Sequence, residues 1–223
     1  MKITIVPTPI GNLKDITYRA IEVLNGADLI LAEDTRTTKV LLNHYGIEKR
    51  LDSYHKYNEH QKLDLIIDLL KSGMNIALVS DAGTPGISDP GFLIVRKAIE
   101  NGIEVETLPG ATAFVPAIVS SGLPCDKFVF EGFLPVKKGR QKTLQSLVDE
   151  HRTMVFYESP FRIHKAIEEF IQYFGENRKA CICREISKIY EQNIRGTLAE
   201  IKLQIENKNI KGEIVVVVAG KQK

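Results

Sequence analysis

Cysteine is scarce in this chain, and long apolar runs are absent. Three cysteines, Cys125, Cys181 and Cys183, are too few and too oddly numbered for a disulfide framework. Cys181 and Cys183 lie in a strand-like run whose alternation sends both to one face. With no histidine or cysteine partners nearby they do not assemble zinc's four ligands, so no metal site is expected. No apolar run approaches the roughly 18 residues of a membrane span. Met1-Lys2 opens into a strand instead of a signal peptide, so the expected location is cytoplasmic. An excess of one charge is lacking too: a net charge of +2 excludes a strongly basic nucleic-acid sponge, though not a local basic patch. Internal repeats and low-complexity segments are missing. So are G-x-G-x-x-G and G-x-x-x-x-G-K-[ST], which removes the ordinary dinucleotide fingerprint and the P-loop.

What remains is an ordinary globular composition, 43% hydrophobic and 26% charged over 223 residues, enough for one large domain or two small ones. Short apolar runs alternate with helical patterns. Ile3-Thr4-Ile5-Val6, Leu29-Ile30-Leu31-Ala32, Ile76-Ala77-Leu78-Val79 and the alternating stretch 103–108 read as strands, with Thr17 and Asn58 as helix caps between them. Residues 53–60 read as an exposed polar and aromatic connection. Ser120-Ser121-Gly122-Leu123-Pro124 breaks the pattern. We therefore expect two α/β domains with largely parallel or mixed sheets, residues 1–122 and 123–223. In the second, strands are expected at 128–130, 154–157, 180–184 and 189–195, and the β-branched run 213–218 reads as a central buried strand.

The most unusual stretch is 79–91, Val-Ser-Asp-Ala-Gly-Thr-Pro-Gly-Ile-Ser-Asp-Pro-Gly. It joins a buried strand to a helix, with Asp89 expected as N-cap and Pro90 as the first helical residue. It exceeds the usual βα connection of about two to six residues, and long loops inside compact domains are usually functional. Its glycines allow close backbone approach and its prolines stiffen it. It carries no lysine to neutralise phosphate, while Asp81, and Asp89 unless spent capping its helix, repel phosphate, so a neutral or cationic ligand suits it better. A sulfonium such as S-adenosylmethionine fits that description. Loops 7–12, 33–36, 81–91 and 109–112 all leave strands of the first half, and ligands of parallel sheets bind at that carboxyl edge.

These residues also carry a family resemblance. The run V-S-D-A-G-T-P-G-I-S-D-P-G, with V-P-T-P-I-G-N-L-x-D-I-T before it and L-P-G-A-T-A after it, resembles the tetrapyrrole-methylase-like (class III) methyltransferases. Within that family it resembles the bacterial 16S ribosomal RNA 2′-O-methyltransferases, over essentially the whole chain. The resemblance implies two α/β domains with the cofactor cleft between them and a homodimer. It also implies S-adenosylmethionine as cofactor and 16S rRNA, free or in the 30S subunit, as partner. The implied reaction is methylation of a cytidine ribose 2′-hydroxyl in the decoding region. Ile10 and Gly11 fall in the first cofactor loop, Ile10 where the wider family carries a proline. Asp81, Ala82, Gly83 and Thr84 cover the main-chain contact of the long loop. Thr112 and Ala113 match the small pair after the P-G turn, Glu158 a second-domain cofactor position, and Gly196 the G-T-L element.

Roles at the acceptor stay open at this level. Asp34 and Arg36 can orient ribose or phosphate, or Asp34 can simply cap the following helix beside a surface arginine. A weakly nucleophilic hydroxyl needs a general base or close positioning. Glu33, Asp34, Asp81 and Glu158 are all candidates for the base, and the sequence does not choose among them. Lys137, Lys138, Arg140 and Lys142 can grip RNA phosphates with Phe133 stacking nearby, or form a solvated helix entry. Two rival functions remain: a small-molecule tetrapyrrole C-methyltransferase, and a ribosome-assembly factor that binds RNA without catalysis.

Overall fold

The structure, a computed structural model, describes residues 2–222. It divides into two compact units, Met1–Thr112 and Ala113–Lys223. The division falls ahead of the 120–124 break because the helix α5 (Phe114–Ser121) buries Ala117 and Ile118 with Val215, Val217, Cys181 and Cys183 of the second unit.

The first unit holds the strands β1 (Lys2–Ile5), β2 (Leu29–Ala32), β3 (Leu51–Ser53), β4 (Asn75–Val79) and β5 (Glu104–Thr107), ordered β3-β2-β4-β1-β5 and all parallel. A parallel sheet covered on both faces needs strands that are apolar throughout, and Leu29–Ala32 is buried at every position. The helices α1 (Tyr18–Gly26), α2 (Thr35–His44), α3 (Glu59–Lys71) and α4 (Phe92–Glu100) supply the cover. Leu24 packs with Ile30 and Ala77 in one cluster, and Ile66, Ile67, Leu70, Ile94 and Ala98 pack with Ile3, Leu31 and Leu78 in another. Thr17 caps α1 by accepting from the Ala20 amide at 3.1 Å. Asn58 sits at the N-cap of α3 but makes no cap bond; its carboxamide oxygen accepts from the His55 amide at 2.8 Å instead.

Two expectations fail in this unit. The stretch 53–60 is not simply an exposed connection, because Leu51–Ser53 pairs with β2 and Tyr54 is fully buried in the core. Asp89 is not a helix cap. α4 begins at Phe92 with Gly91 as N-cap at φ 150°, so Pro90 lies outside the helix and the Asp89 side chain serves the loop.

The second unit's sheet is mixed. Its strands β6 (Phe128–Phe133), β7 (Thr153–Glu158), β8 (Lys179–Arg184), β9 (Gln192–Thr197) and β10 (Ile214–Val218) are ordered β6-β7-β10-β8-β9. β6 and β7 run parallel, while β10 runs antiparallel to both β7 and β8. β10 is central and buried at every position, as its uninterrupted β-branched run requires. The helices α6 (Arg140–Ser146), α7 (Ile163–Phe174) and α8 (Leu198–Ile205) bury Leu144, Ile163, Phe170, Leu198 and Ile201 with Phe156, Ile182 and Val216. Among the described residues no helix is long and apolar enough to cross a membrane.

Candidate active site

In an all-parallel sheet every strand ends at one edge, and the registers Ile5↔Leu78, Ile5↔Thr107 and Ala32↔Val79 keep those ends level. The loops leaving them are braced against one another. Thr8 and Gly83 exchange two backbone hydrogen bonds, both 2.9 Å, joining the first loop to the long one. The Thr8 hydroxyl donates to the Ser80 carbonyl at 3.1 Å, and the Thr84 hydroxyl donates to the Ala111 carbonyl at 3.0 Å. A Cβ on Gly110 would lie 2.6 Å from Pro7 Cβ, so only glycine lets the fourth loop close on the first. Gly83 takes φ +83°, which presents the loop's backbone where most side chains would be strained. The result is a rigid rim in which Ile10, Gly11, Asp81, Ala82, Gly83 and Thr84 share one edge, with Gly11, Asp81 and Ala82 exposed.

Acids gather there. The Asp34 amide donates to Asp81 Oδ1 at 3.0 Å, and the Asp81 amide lies 3.5 Å from Glu33 Oε2. Asp34 caps α2, accepting from the Arg36 amide at 2.8 Å, and its carboxylate also holds the Arg36 guanidinium, with Nη2 to Oδ2 at 2.6 Å. That guanidinium, then the cap bond, holds the Asp34 carboxyl at about 2. The sequence offered a cap or a functional pair; Asp34 is the cap and also the anchor of an otherwise exposed arginine. Glu33 and Asp81 are both raised, chiefly by loss of water around them. Asp89 is pushed up to about 7, first by burial and then by the charges of Glu33 and Asp81, with the Ser80 hydroxyl opposing the shift. Sequence reasoning counted Asp89 as a charge on the loop but not among the proton acceptors, because Asp-Pro before a helix reads as a cap.

Glu158 ends β7 as a buried carboxylate with its oxygens already engaged. Oε1 accepts from the Ser159 amide at 2.7 Å and Arg162 Nε at 2.9 Å, and Oε2 from Arg140 Nη2 at 3.3 Å. Arg140 donates through Nε to Glu169 at 2.7 Å and is 4% exposed. This corrects its expected place on an RNA-gripping surface, because a buried guanidinium locked between the buried Glu158 and the half-buried Glu169 faces no phosphate. Lys137, Lys138 and Lys142 are exposed and make no ion pair among the described residues. Gly196, at φ +157°, leaves room for the capping box in which the Thr197 hydroxyl accepts from the Glu200 amide and Glu200 from the Thr197 amide. Thr112 and Ala113 lead into α5, with Ala113 as its N-cap.

Comparison with known proteins places this geometry among relatives. Residues 2–202 match the model of the tetrapyrrole (corrin/porphyrin) methylases. The ribosomal RNA small subunit methyltransferase I of Thermotoga maritima is 47% identical over 221 residues, 99% of each chain. The protein of that name from Escherichia coli O157:H7 is 48% identical, covering 97% of this chain and 77% of its own. Among solved structures, a uroporphyrin-III C-methyltransferase from Thermus thermophilus, complexed with S-adenosyl homocysteine, superposes with a TM-score of 0.67 at 16% identity. That match covers 98% of this chain and 97% of the other. At that identity the likeness concerns the fold.

Proposed function

The chain belongs to the tetrapyrrole (corrin/porphyrin) methylase family, and from that premise we propose that it methylates a ribose 2′-hydroxyl of 16S ribosomal RNA. The acceptor is a cytidine of the decoding region and the donor is S-adenosylmethionine. The observation that carries the reading is near-full-length identity of 47% to a protein named for small-subunit rRNA methylation. The tetrapyrrole enzyme shares only the fold, at 16% identity.

The rim fits the donor. It is acidic, it lacks lysine on the long loop, and at Gly11 and Ala82 it exposes main chain with little side-chain cover, which suits a cationic sulfonium carrying many polar groups. Bound S-adenosylmethionine supplies an activated methyl group. Ile10, Gly11, Asp81, Ala82, Gly83 and Thr84 hold it, and the motif match adds Thr112, Ala113, Glu158 and Gly196. Of these, Glu158 acts through structure, keeping Ser159, Arg162 and Arg140 in place.

At the acceptor, Arg36 is exposed and aimed by Asp34, so it meets an RNA phosphate while Asp34 fixes its direction. With its carboxyl at about 2, Asp34 is a poor proton acceptor near neutral pH. We assign acceptance of the 2′-hydroxyl proton to the acidic rim of Glu33, Asp81 and Asp89, of which Asp89, pushed up to about 7 by burial and by the other two charges, titrates nearest neutral pH. Lys137, Lys138 and Lys142 neutralise phosphates. The protein works as a homodimer in the cytoplasm, on 16S rRNA either free or within the 30S subunit.

Incubation with labelled S-adenosylmethionine and either purified 30S subunits or free 16S rRNA, followed by mapping, tests the reading. Label on a decoding-region ribose is expected. Label only on a porphyrinoid would overturn it in favour of the tetrapyrrole reaction, and calorimetry showing no donor binding would favour a non-catalytic assembly factor.

A further inference from the structure

The second unit's sheet brings several connections to one edge. Phe133 at the end of β6 pairs with Tyr157, and the next residue, Glu158, pairs with Ile214 of β10. Ile214 pairs with Arg184 at the end of β8, and Arg184 with Gln192 at the start of β9. Loops 134–139, 159–162 and 185–191 therefore leave the sheet side by side. β6 and β8 are three strand spacings apart, about 14 Å.

Each loop region presents an aromatic ring to water. Phe133 is 55% exposed, Phe161 96% and Tyr190 74%. Phe133 is steadied edge-on by Tyr157 at 5.5 Å between centroids. The other two rings have no ring partner among the described residues, yet the backbones under them are tied down. The Phe161 amide donates to the Ser159 hydroxyl at 3.3 Å, and the neighbouring Arg162 is held by Glu158. Below Tyr190, Glu185 and Ser187 take φ 52° and 66°, a left-handed backbone that non-glycine residues adopt only when their surroundings impose it. Here Glu191 accepts from the Ser187 amide at 2.7 Å, and Lys188 bridges Glu185 and Glu213, both at 3.0 Å. That bridge offsets one of the three acids here, Glu185, Glu191 and Glu213, so among the described residues the unpaired cations of this edge are Lys137 and Lys138 of the 134–139 loop.

We infer that Phe133, Phe161 and Tyr190 form a stacking platform for unpaired bases of single-stranded RNA, with Lys137 and Lys138 on its phosphates. Rings spaced along an edge with free cations at its β6 end match the way single strands are held, because every base offers a face to stack and the backbone offers only negative charge. Protein interfaces, by contrast, cluster their aromatics in a continuous core depleted of lysine. The inference rests on the RNA-methyltransferase reading and extends it by naming what on this unit grips the acceptor strand.

The test uses full-length protein, Phe161→Ala, Tyr190→Ala and the double variant. A fluorescein-labelled single-stranded RNA and a duplex of matched length are titrated by anisotropy at several salt concentrations. Each single substitution is expected to weaken single-strand binding roughly tenfold, with the salt slope and duplex affinity unchanged, and to raise KM for RNA with kcat and donor affinity unaltered. Single-strand affinity at the wild-type level in the double variant would overturn the platform. So would a change in sedimentation mass without loss of RNA affinity, which would mark the rings as a contact between protein copies. If the wild-type protein methylates RNA while the variants match it, only the platform fails. If wild type binds no RNA, the functional reading fails with it.

Discussion

Replacing Asp89 with asparagine tests the electrostatics of the acidic rim directly. In the folded protein its carboxyl sits at about 7 against an ordinary 3.8, because burial removes water and Glu33 and Asp81 repel its charge. A displacement of that size corresponds to about 4 kcal/mol against the charged form, which solvent screening at a partly exposed site reduces to about 2 kcal/mol. The native state holds the Asp89 proton up to about 7 while the unfolded chain releases it near 3.8, so the native state binds more protons in between. Stability from this group is therefore fully present below about pH 4, falls as pH rises towards 7 and levels off above. Asparagine keeps the shape and cannot ionise. Urea denaturation should show Asp89→Asn more stable than wild type by about 2 kcal/mol at pH 8, with the gap closing near pH 4. In methyl transfer, the wild-type kcat/KM for the donor should rise through pH 7, as the free enzyme titrates, and the variant should lose that inflection together with most of its turnover. An equal stability difference at both pH values, or an inflection that survives the substitution, would refute the assignment.

Gly110→Ala places a Cβ 2.6 Å from Pro7 Cβ. It should cost about 1–3 kcal/mol and weaken S-adenosylmethionine binding by calorimetry. Arg140→Met leaves the Glu158 and Glu169 carboxylates without their shared guanidinium. It should destabilise by about 3–5 kcal/mol in denaturant titration, whereas a surface RNA contact would leave stability unchanged and lower only RNA affinity. Lys137→Ala with Lys138→Ala should lessen the slope of log affinity against log salt for single-stranded RNA by roughly 1.4 without altering the melting temperature. Arg36→Ala should raise KM for RNA several-fold while the donor binds as before, since Arg36 is exposed and bonded only to Asp34 among the described residues.

Much of the first unit was legible because period-2 and buried apolar runs are local signals. β1, β2, β4 and β5, the Thr17 cap, and the central place of β10 all follow from residues within one element. The converging loops were legible for a topological reason: once the strands are parallel, their ends must share an edge. What failed to read out was whatever depends on a partner far along the chain. Tyr54 reads as polar and exposed until Ile66, Ile67 and Leu70 of α3 and Ile94 of α4 join it in the core. Arg140 reads as one more cation in Lys-Lys-Gly-Arg-Gln-Lys until Glu158, 18 residues on, and Glu169, 29 residues on, claim it.

Asp89 shows the same limit in its sharpest form, and it bears on how the rim works. As a cap, the residue would have been discharged by amide groups and held ionised. Moving the start of α4 two residues on, from Pro90 to Phe92, removes those amides and leaves the Asp89 carboxyl under the charges of Glu33 and Asp81. Three carboxylates kept that close must share fewer than three negative charges near neutral pH, so the rim stores a readily exchanged proton. A cation arriving at the rim favours release of that proton, and it leaves Asp89 ionised when a hydroxyl is presented to it. Donor binding should therefore release protons at pH 6 and few at pH 9. Calorimetry in buffers of different ionisation enthalpy counts them, and Asp89→Asn should abolish the difference.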